Sequence, residues 1–305
     1  MIKNLKDEVT QFVEHKKEIV EFNTKEITKD NIGSLYITIV KDKTDGTTAS
    51  DVYVRNKTKK LRERLGETFV KIIEIDETSN LNEIVRSESN NKDCVGLIVQ
   101  KPSKYFSDDA IQLICSLNLS PYKDIDSITP KQLGLVTSLG MTSTLPLTAR
   151  GMINFLDNLM KYSMEGKSLK ETKVATVIGR SIIVGKPMVM ALINRGYTVF
   201  NVNSKTDRVL LRNMLRYSDV VITAVGKHGV ITNNYLKHGC IVLDVGINRD
   251  NSGKLCGDLR IDDTGCLDFS YTPVPGGIGK ITSNEFYCKV LQMVQHRFEE
   301  ALNEK

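Results

Sequence analysis

The stretch from Lys173 to Thr206 constrains the fold more than any other part of the chain. Val174-Ala175-Thr176-Val177-Ile178 is short, apolar and β-branched, the composition of a buried parallel strand. The turn Gly179-Arg180-Ser181-Ile182-Ile183-Val184-Gly185 comes next, and Pro187 opens a helix over Met188 to Arg195. Proline suits a first helical turn, where its missing N–H has no intrahelical partner. Gly196 ends the helix, and Tyr197 to Val202 is a second strand. This order makes half of a dinucleotide-binding βαβ unit, with backbone N–H groups and a helix N-terminus offered to phosphates.

The glycine spacing departs from Gly-x-Gly-x-x-Gly, so the residues after the second strand carry more weight. An NAD site usually places Asp or Glu there to bond the ribose hydroxyls. Here the strand runs into Asn203-Ser204-Lys205-Thr206, with no carboxylate before Asp207. Ser204 and Lys205, with Arg180 from the glycine turn, suit a 2′-phosphate, because hydroxyl and cation attract it where a carboxylate would repel it. The expected cofactor is therefore NADP. The plain alternative is a polar surface loop.

A chain of 305 residues can bury a full core and is expected to form two domains. With 40% hydrophobic and 26% charged residues it has the balance of an ordinary globular protein. The net charge of +5 is dispersed, and clusters such as Lys57-Thr58-Lys59-Lys60 lack interleaved aromatics, which argues for small anionic ligands over nucleic acid. No apolar run reaches membrane length and the N-terminus is charged from Lys3 onward, so neither a membrane span nor a secretory signal is expected. Cys94, Cys115, Cys240, Cys256, Cys266 and Cys288 form no Cys-x-x-Cys pair and read as reduced thiols of a cytoplasmic protein. The four histidines have no metal-ligand spacing, so no metal is expected.

Strand and helix alternate elsewhere too, the pattern of a parallel α/β sheet with crossover helices. Apolar residues from Leu5 to Phe22 recur at helical spacing. Leu35 to Val40 is a strand, Ala49 to Leu65 a helix capped by Gly66, and Phe69 to Ile75 a strand. Leu81 to Glu88 and Ala110 to Leu117 read as helices on either side of the buried strand Cys94 to Gln100. Gly151 to Tyr162 is a helix bridging the domains. Val220 to Val225 and Ile241 to Val245 are strands ending in Gly226 and Gly246, at the edge where doubly wound sheets bind ligands. Ser283 to Leu302 is a terminal amphipathic helix expected to pack back on the first domain.

Thr272-Pro273-Val274-Pro275-Gly276-Gly277-Ile278-Gly279 is a second informative stretch: prolines fix the backbone and glycines allow a flat ligand to approach it. The plain alternative is a rigid interdomain turn. In the first domain Tyr53 and Lys57 lie four apart on one helix face, Gln100 ends a buried strand, and Asp124 and Asp126 lie in Tyr122-Lys123-Asp124-Ile125-Asp126-Ser127-Ile128. Taken singly, each also reads as a solvated lysine, a strand terminus or a turn residue.

Together, Ala49 to Lys57, Gly96 to Pro102, Lys123 to Asp126, Gly179 to Pro187 and Thr272 to Gly279 are identifiable. Over nearly its whole length the chain resembles the bifunctional methylenetetrahydrofolate dehydrogenase/methenyltetrahydrofolate cyclohydrolase family. The resemblance implies two α/β domains around a cleft. Residues 1–149, completed by 282–305, would be the folate-binding catalytic domain, and 150–281 a Rossmann-type NADP-binding domain. Tyr53 would stack on the folate, Lys57 would be the catalytic lysine with Gln100 as its hydrogen-bonded partner, and Asp126 would hold the pterin. Pro275, Gly276 and Gly277 would border the substrate. Gly179, Arg180, Ser181, Gly185, Ser204, Lys205 and Ile247 would contact NADP. The family also implies a homodimer.

Hydride transfer needs mainly the alignment of two flat ligands, whereas hydrolysis of the methenyl product needs a proton shuttle, which a desolvated lysine can supply. The alternatives are a dehydrogenase without cyclohydrolase activity, or a non-catalytic NADP-binding partner subunit. Retention of Tyr53, Lys57, Gln100 and Asp126 as a set argues against both, and no synthetase domain is expected. Four positions depart from the family pattern: Lys101 where an apolar residue is usual, Ser127 for glycine, Ala149 for proline, and Lys280-Ile281 for Pro-Met. Lys101 and Lys280 are expected to border the cleft, where the anionic glutamate tail of the substrate would suit them.

Overall fold

The computed structural model describes residues 2–163, 173–250, 252–264 and 268–303. The first elements are β1 (Ile2–Asn4), α1 (Lys6–Asn23), β2 (Tyr36–Asp42), α2 (Ala49–Leu65), β3 (Val70–Ile75), α3 (Leu81–Asn90), β4 (Cys94–Val99), α4 (Asp108–Asn118) and α5 (Pro130–Leu139). Then come α6 (Leu147–Ser163), β5 (Val174–Ile178), α7 (Gly185–Ile193), β6 (Thr198–Val202), α8 (Arg208–Tyr217), β7 (Val220–Thr223) and β8 (Ile231–Thr232). The remainder is β9 (Cys240–Asp244), β10 (Asn248–Arg249), β11 (Leu255–Cys256), β12 (Leu259–Arg260), β13 (Phe269–Tyr271) and α9 (Ile278–Asn303). Two compact units result, one from residues 16–134 and 283–305, the other from 1–15 and 135–282.

The first unit is built on a parallel sheet of order β3-β2-β4. The central strand β2 is buried at five consecutive positions and β4 at all six, which is why both read as unbroken apolar runs. Helix α2 starts in a capping box: Thr48 Oγ1 accepts from the Asp51 N–H at 3.2 Å, and Asp51 accepts from the Thr48 N–H at 3.0 Å. It stops at Gly66, whose φ of 91° is open to glycine at little cost. Leu97 exchanges backbone hydrogen bonds with Lys123 and Ile125, at 2.7 and 3.2 Å, and so fixes the segment leading to Asp126 beside β4. A Cβ on Gly96 would lie 2.8 Å from Ile125 and 3.1 Å from Met293 of α9, so only glycine fits that strand position.

The second unit is a six-stranded parallel sheet of order β1-β13-β9-β7-β5-β6. The chain leaves β5 for β6 on one side and returns to β7 on the other. The C-terminal ends of β5 and β7 therefore form the switch point at which doubly wound sheets bind ligands. Residues 1–15 belong here, not with the folate-type unit to which the sequence assigned them. The three-residue β1 is too short and polar to be read as a strand, yet it pairs with β13. Behind it Leu5, Val9 and Val13 join a core containing Met152, Phe155 and Leu156, and the Phe12 and Phe155 rings meet edge-on at 5.4 Å. The division also falls at 134/135 rather than 149/150, because Val136, Leu145 and Ala149 lie in that same core.

Sequence reading left α5 and α8 unassigned. Asp207 starts α8, its carboxylate accepting from the Val209 and Leu210 N–H groups at 2.8 and 3.1 Å. Helix α9 begins at Ile278, five residues before the expected start, because the backbone already turns helical through Gly279. Cys94, Cys115, Cys240 and Cys288 are buried free thiols and Cys256 a half-buried one; Cys266 lies outside the described residues.

Candidate active site

Helix α2 carries Tyr53 and Lys57 one turn apart on a single face. Lys57 is only 5% exposed, and its ammonium lies 4.3 Å from the centroid of the Phe286 ring and 5.5 Å from that of Tyr53. Burial pushes Lys57 down to about 8, with the charge of Asp126 pulling the other way. Both protonation states are therefore populated near neutral pH. Burial and then Asp126 push the Tyr53 hydroxyl up to about 12, so it stays protonated, and a hydrogen bond with Ser283 opposes the rise.

The two aspartates of the 122–128 stretch divide their roles. Asp124 is buried and accepts from the Thr129 N–H at 2.7 Å, holding the turn, with burial raising its carboxyl above the usual range. Asp126 is half-buried, and among the described residues its carboxylate makes no hydrogen bond or ion pair. The next residue, Ser127, adopts a left-handed φ of 55° where glycine would be at ease, and its hydroxyl accepts a hydrogen bond from Lys289 of α9.

Gln100 stands at the end of β4, its N–H donating to Val40 at 2.8 Å. The expected hydrogen bond between Gln100 and Lys57 is not formed. The lysine turns its ammonium to the aromatic faces of Phe286 and Tyr53, and the Gln100 side chain has no hydrogen bond among the described residues. Of the departures, Lys101 has a buried ammonium with no hydrogen-bond partner, and Lys280 donates to Thr10 at 3.0 Å within the second unit. Ala149 is fully buried in α6. Phe286 and Ser283 were missed by sequence reasoning. Their signal is the i, i+3 spacing on the terminal helix, which places both on one face.

The second unit supplies the glycine turn. A Cβ on Gly179 would lie 2.9 Å from the Ala224 carbonyl oxygen, and one on Gly185 would lie 2.4 Å from that of Gly179. Both glycines are thus required for the turn to close onto the start of α7. Ser181 Oγ accepts from the Val184 and Gly185 N–H groups at 3.2 and 3.4 Å, and its hydroxyl hydrogen stays available to a ligand. Asn201, which sequence reasoning passed over, ties β6 to this turn through bonds to Val177 at 3.1 Å and Gly179 at 2.8 Å.

Arg180, Ser181, Ser204 and Lys205 are exposed, and the 203–206 loop is held by Asn203, which accepts from the Lys205 N–H at 3.0 Å. The nearest following carboxylate, Asp207, is committed to capping α8. A glycine cradle closing on a helix N-terminus, with cations and no free carboxylate beside it, fits a 2′-phosphorylated dinucleotide. Ile247 is 70% exposed, just past β9. After β13, Gly276 has a φ of 99°, and a Cβ on Gly277 would lie 2.4 Å from the Pro273 oxygen, so both glycines are needed in the Pro275–Gly277 turn.

Residues 146–298 match the family described as "Tetrahydrofolate dehydrogenase/cyclohydrolase, NAD(P)-binding domain". "Bifunctional protein FolD" of Streptococcus sanguinis is 36% identical over 238 residues, 77% of this chain and 78% of that protein. The protein of the same name from Clostridium kluyveri is 36% identical over 237 residues, 76% of this chain and 78% of its own. Among solved structures, the bifunctional enzyme FolD-methylenetetrahydrofolate dehydrogenase/cyclohydrolase of Campylobacter jejuni is 28% identical with a TM-score of 0.79. The similarity spans 97% of this chain and 100% of that one.

Proposed function

The chain belongs to the tetrahydrofolate dehydrogenase/cyclohydrolase family, and on that premise we propose that it oxidises methylenetetrahydrofolate with NADP and hydrolyses the methenyl product to 10-formyltetrahydrofolate. The observation that carries this reading is a buried lysine, held at about 8 by desolvation, in the electrostatic reach of an aspartate without a partner. Asp126 accepts from the N–H groups of the pterin and fixes its orientation. The Tyr53 ring stacks on the folate, and Gln100 at the end of β4 orients it. Pro275, Gly276 and Gly277 border the substrate from the turn after β13.

NADP, when bound, accepts the hydride of the methylene carbon. Gly179, Ser181 and Gly185 would hold its pyrophosphate, Arg180, Ser204 and Lys205 its 2′-phosphate, and Ile247 would lie against it. The oxidation leaves a cation on the folate. Water adds to that carbon, and neutral Lys57 takes the proton that water releases. The ammonium so formed returns that proton to the ring nitrogen as the C–N bond breaks, while the hydroxyl on the same carbon becomes the formyl carbonyl and its proton leaves to solvent. A group near 8 performs both transfers at neutral pH, whereas an ordinary lysine, protonated throughout that range, performs only the second.

A homodimer belongs to the same reading, supported by family membership. So does a cytoplasmic site of action; no helix among the described residues is long and apolar enough to cross a membrane. The test is to incubate the purified protein with methylenetetrahydrofolate and either NADP or NAD, following methenyl and 10-formyl products together. Both products with NADP support the reading. Methenyl alone makes it a dehydrogenase without cyclohydrolase activity.

A further inference from the structure

Asp258 is fully buried, yet its carboxylate is saturated by donors from two separate loops. One oxygen accepts from the Thr223 hydroxyl and the Val225 N–H, both at 2.9 Å. The other accepts from the Lys227 N–H at 2.8 Å and from Asn248 Nδ2 at 2.9 Å. The first three donors leave the C-terminal end of β7, and the fourth lies just past β9. Gly246 makes room for this arrangement: a Cβ there would sit 2.0 Å from the carboxylate. A second buried carboxylate, Asp244, holds Asp258 in place by accepting from the N–H groups of Gly246 and Asp258 at 3.0 Å and of Leu259 at 2.9 Å.

Both loops lie at the edge of the sheet where a dinucleotide binds. Ala224, between two of the Asp258 donors, presents the carbonyl that limits the space at Gly179. Ile247 sits between Gly246 and Asn248, and both of these touch Asp258. We infer that Asp258 is a positioning residue for the dinucleotide: its carboxylate sets the spacing of the 223–227 and 246–248 loops, and with it the affinity for the cofactor. The inference rests on the reading of this unit as the NADP site.

Asp258→Asn preserves size while replacing one acceptor oxygen by an NH2 group. Whichever way the amide turns, that group faces a backbone N–H, of Val225 or of Lys227, which then loses its partner. Titration of NADPH fluorescence should show binding weakened by about tenfold or more. The KM for NADP should rise in step, while kcat at saturating NADP changes little. Asn248→Ala, which removes one donor and leaves the carboxylate, should weaken binding to a lesser degree and covers the case in which the first variant fails to fold. Thr176→Val deletes the 2.7 Å bond between β5 and Ser218 at the end of α8, in the same unit. It should lower the melting temperature and leave NADPH affinity alone.

Unchanged NADPH affinity in folded Asp258→Asn overturns the inference, as does unchanged affinity in Asn248→Ala if the other does not fold. If the unmodified protein binds no NADPH, the cofactor reading itself fails and takes the inference with it.

Discussion

The Lys57 ammonium lies 4.3 Å from the centroid of the Phe286 ring, joining α2 to the terminal helix through a cation and an aromatic face. Burial of the lysine favours its neutral form, and the ring favours the charged one. Phe286→Leu keeps the site apolar and removes the ring, so the lysine should titrate lower still. A cation–π contact of about 0.5–1 kcal/mol corresponds to a drop of roughly half a pH unit. The acidic limb of the pH profile for methenyl hydrolysis, which rises as Lys57 loses its proton, should move down by that amount. A profile that does not move would mean that the ring does not act on the ammonium.

Arg180 stands exposed in the glycine turn, in a unit with no free carboxylate between Val202 and the capping Asp207. Arg180→Ala should weaken NADP by at least about tenfold, the scale of a charge-assisted contact to phosphate. NAD, lacking the 2′-phosphate, should be affected far less. The comparison of KM for the two dinucleotides, before and after the substitution, decides it. Equal use of NAD by the unmodified protein would remove the basis for assigning Ser204 and Lys205.

Asp244 leaves a trace in stability against pH. Burial pushes its carboxyl up to about 6, above the unfolded value near 3.9. The folded state therefore binds more protons between the two values, and its stability falls as pH rises from about 4 to about 6 and is level beyond. The difference is on the order of 3 kcal/mol. Asp244→Asn removes the titration, so the stability of the unmodified protein relative to the variant should decline across that window. Denaturant melts at pH 4, 5, 6 and 7 measure it; a difference independent of pH would contradict the assignment.

Much of this was legible because local chemistry and tertiary context agree. The run from Val174 to Val202 folds as read, since apolar strand, glycine turn and first-turn proline all require the same path. The helix from Ala49 to Leu65 has its bounds written in the Thr48 cap and Gly66. What escaped depends on partners distant in sequence. Ile2-Lys3-Asn4 becomes a strand only because Phe269 to Tyr271 offers it an edge. Asp258 looks like any loop carboxylate until the chain brings Thr223, Lys227 and Asn248 around it. Lys57 was legible as a candidate, but the ring that it faces lies 229 residues away, and the glutamine expected beside it makes no bond to it.

The most direct test is Lys57→Met, which keeps the length and apolar character of the side chain and removes the amine. Conversion of methenyltetrahydrofolate to the 10-formyl product should fall by roughly a hundred- to ten-thousandfold, the contribution of a positioned acid–base group. Reduction of NADP with methylenetetrahydrofolate, which depends on alignment, should persist at a reduced rate. If the variant hydrolyses the methenyl substrate at the original rate, Lys57 carries no proton in this reaction and the assignment of the site fails.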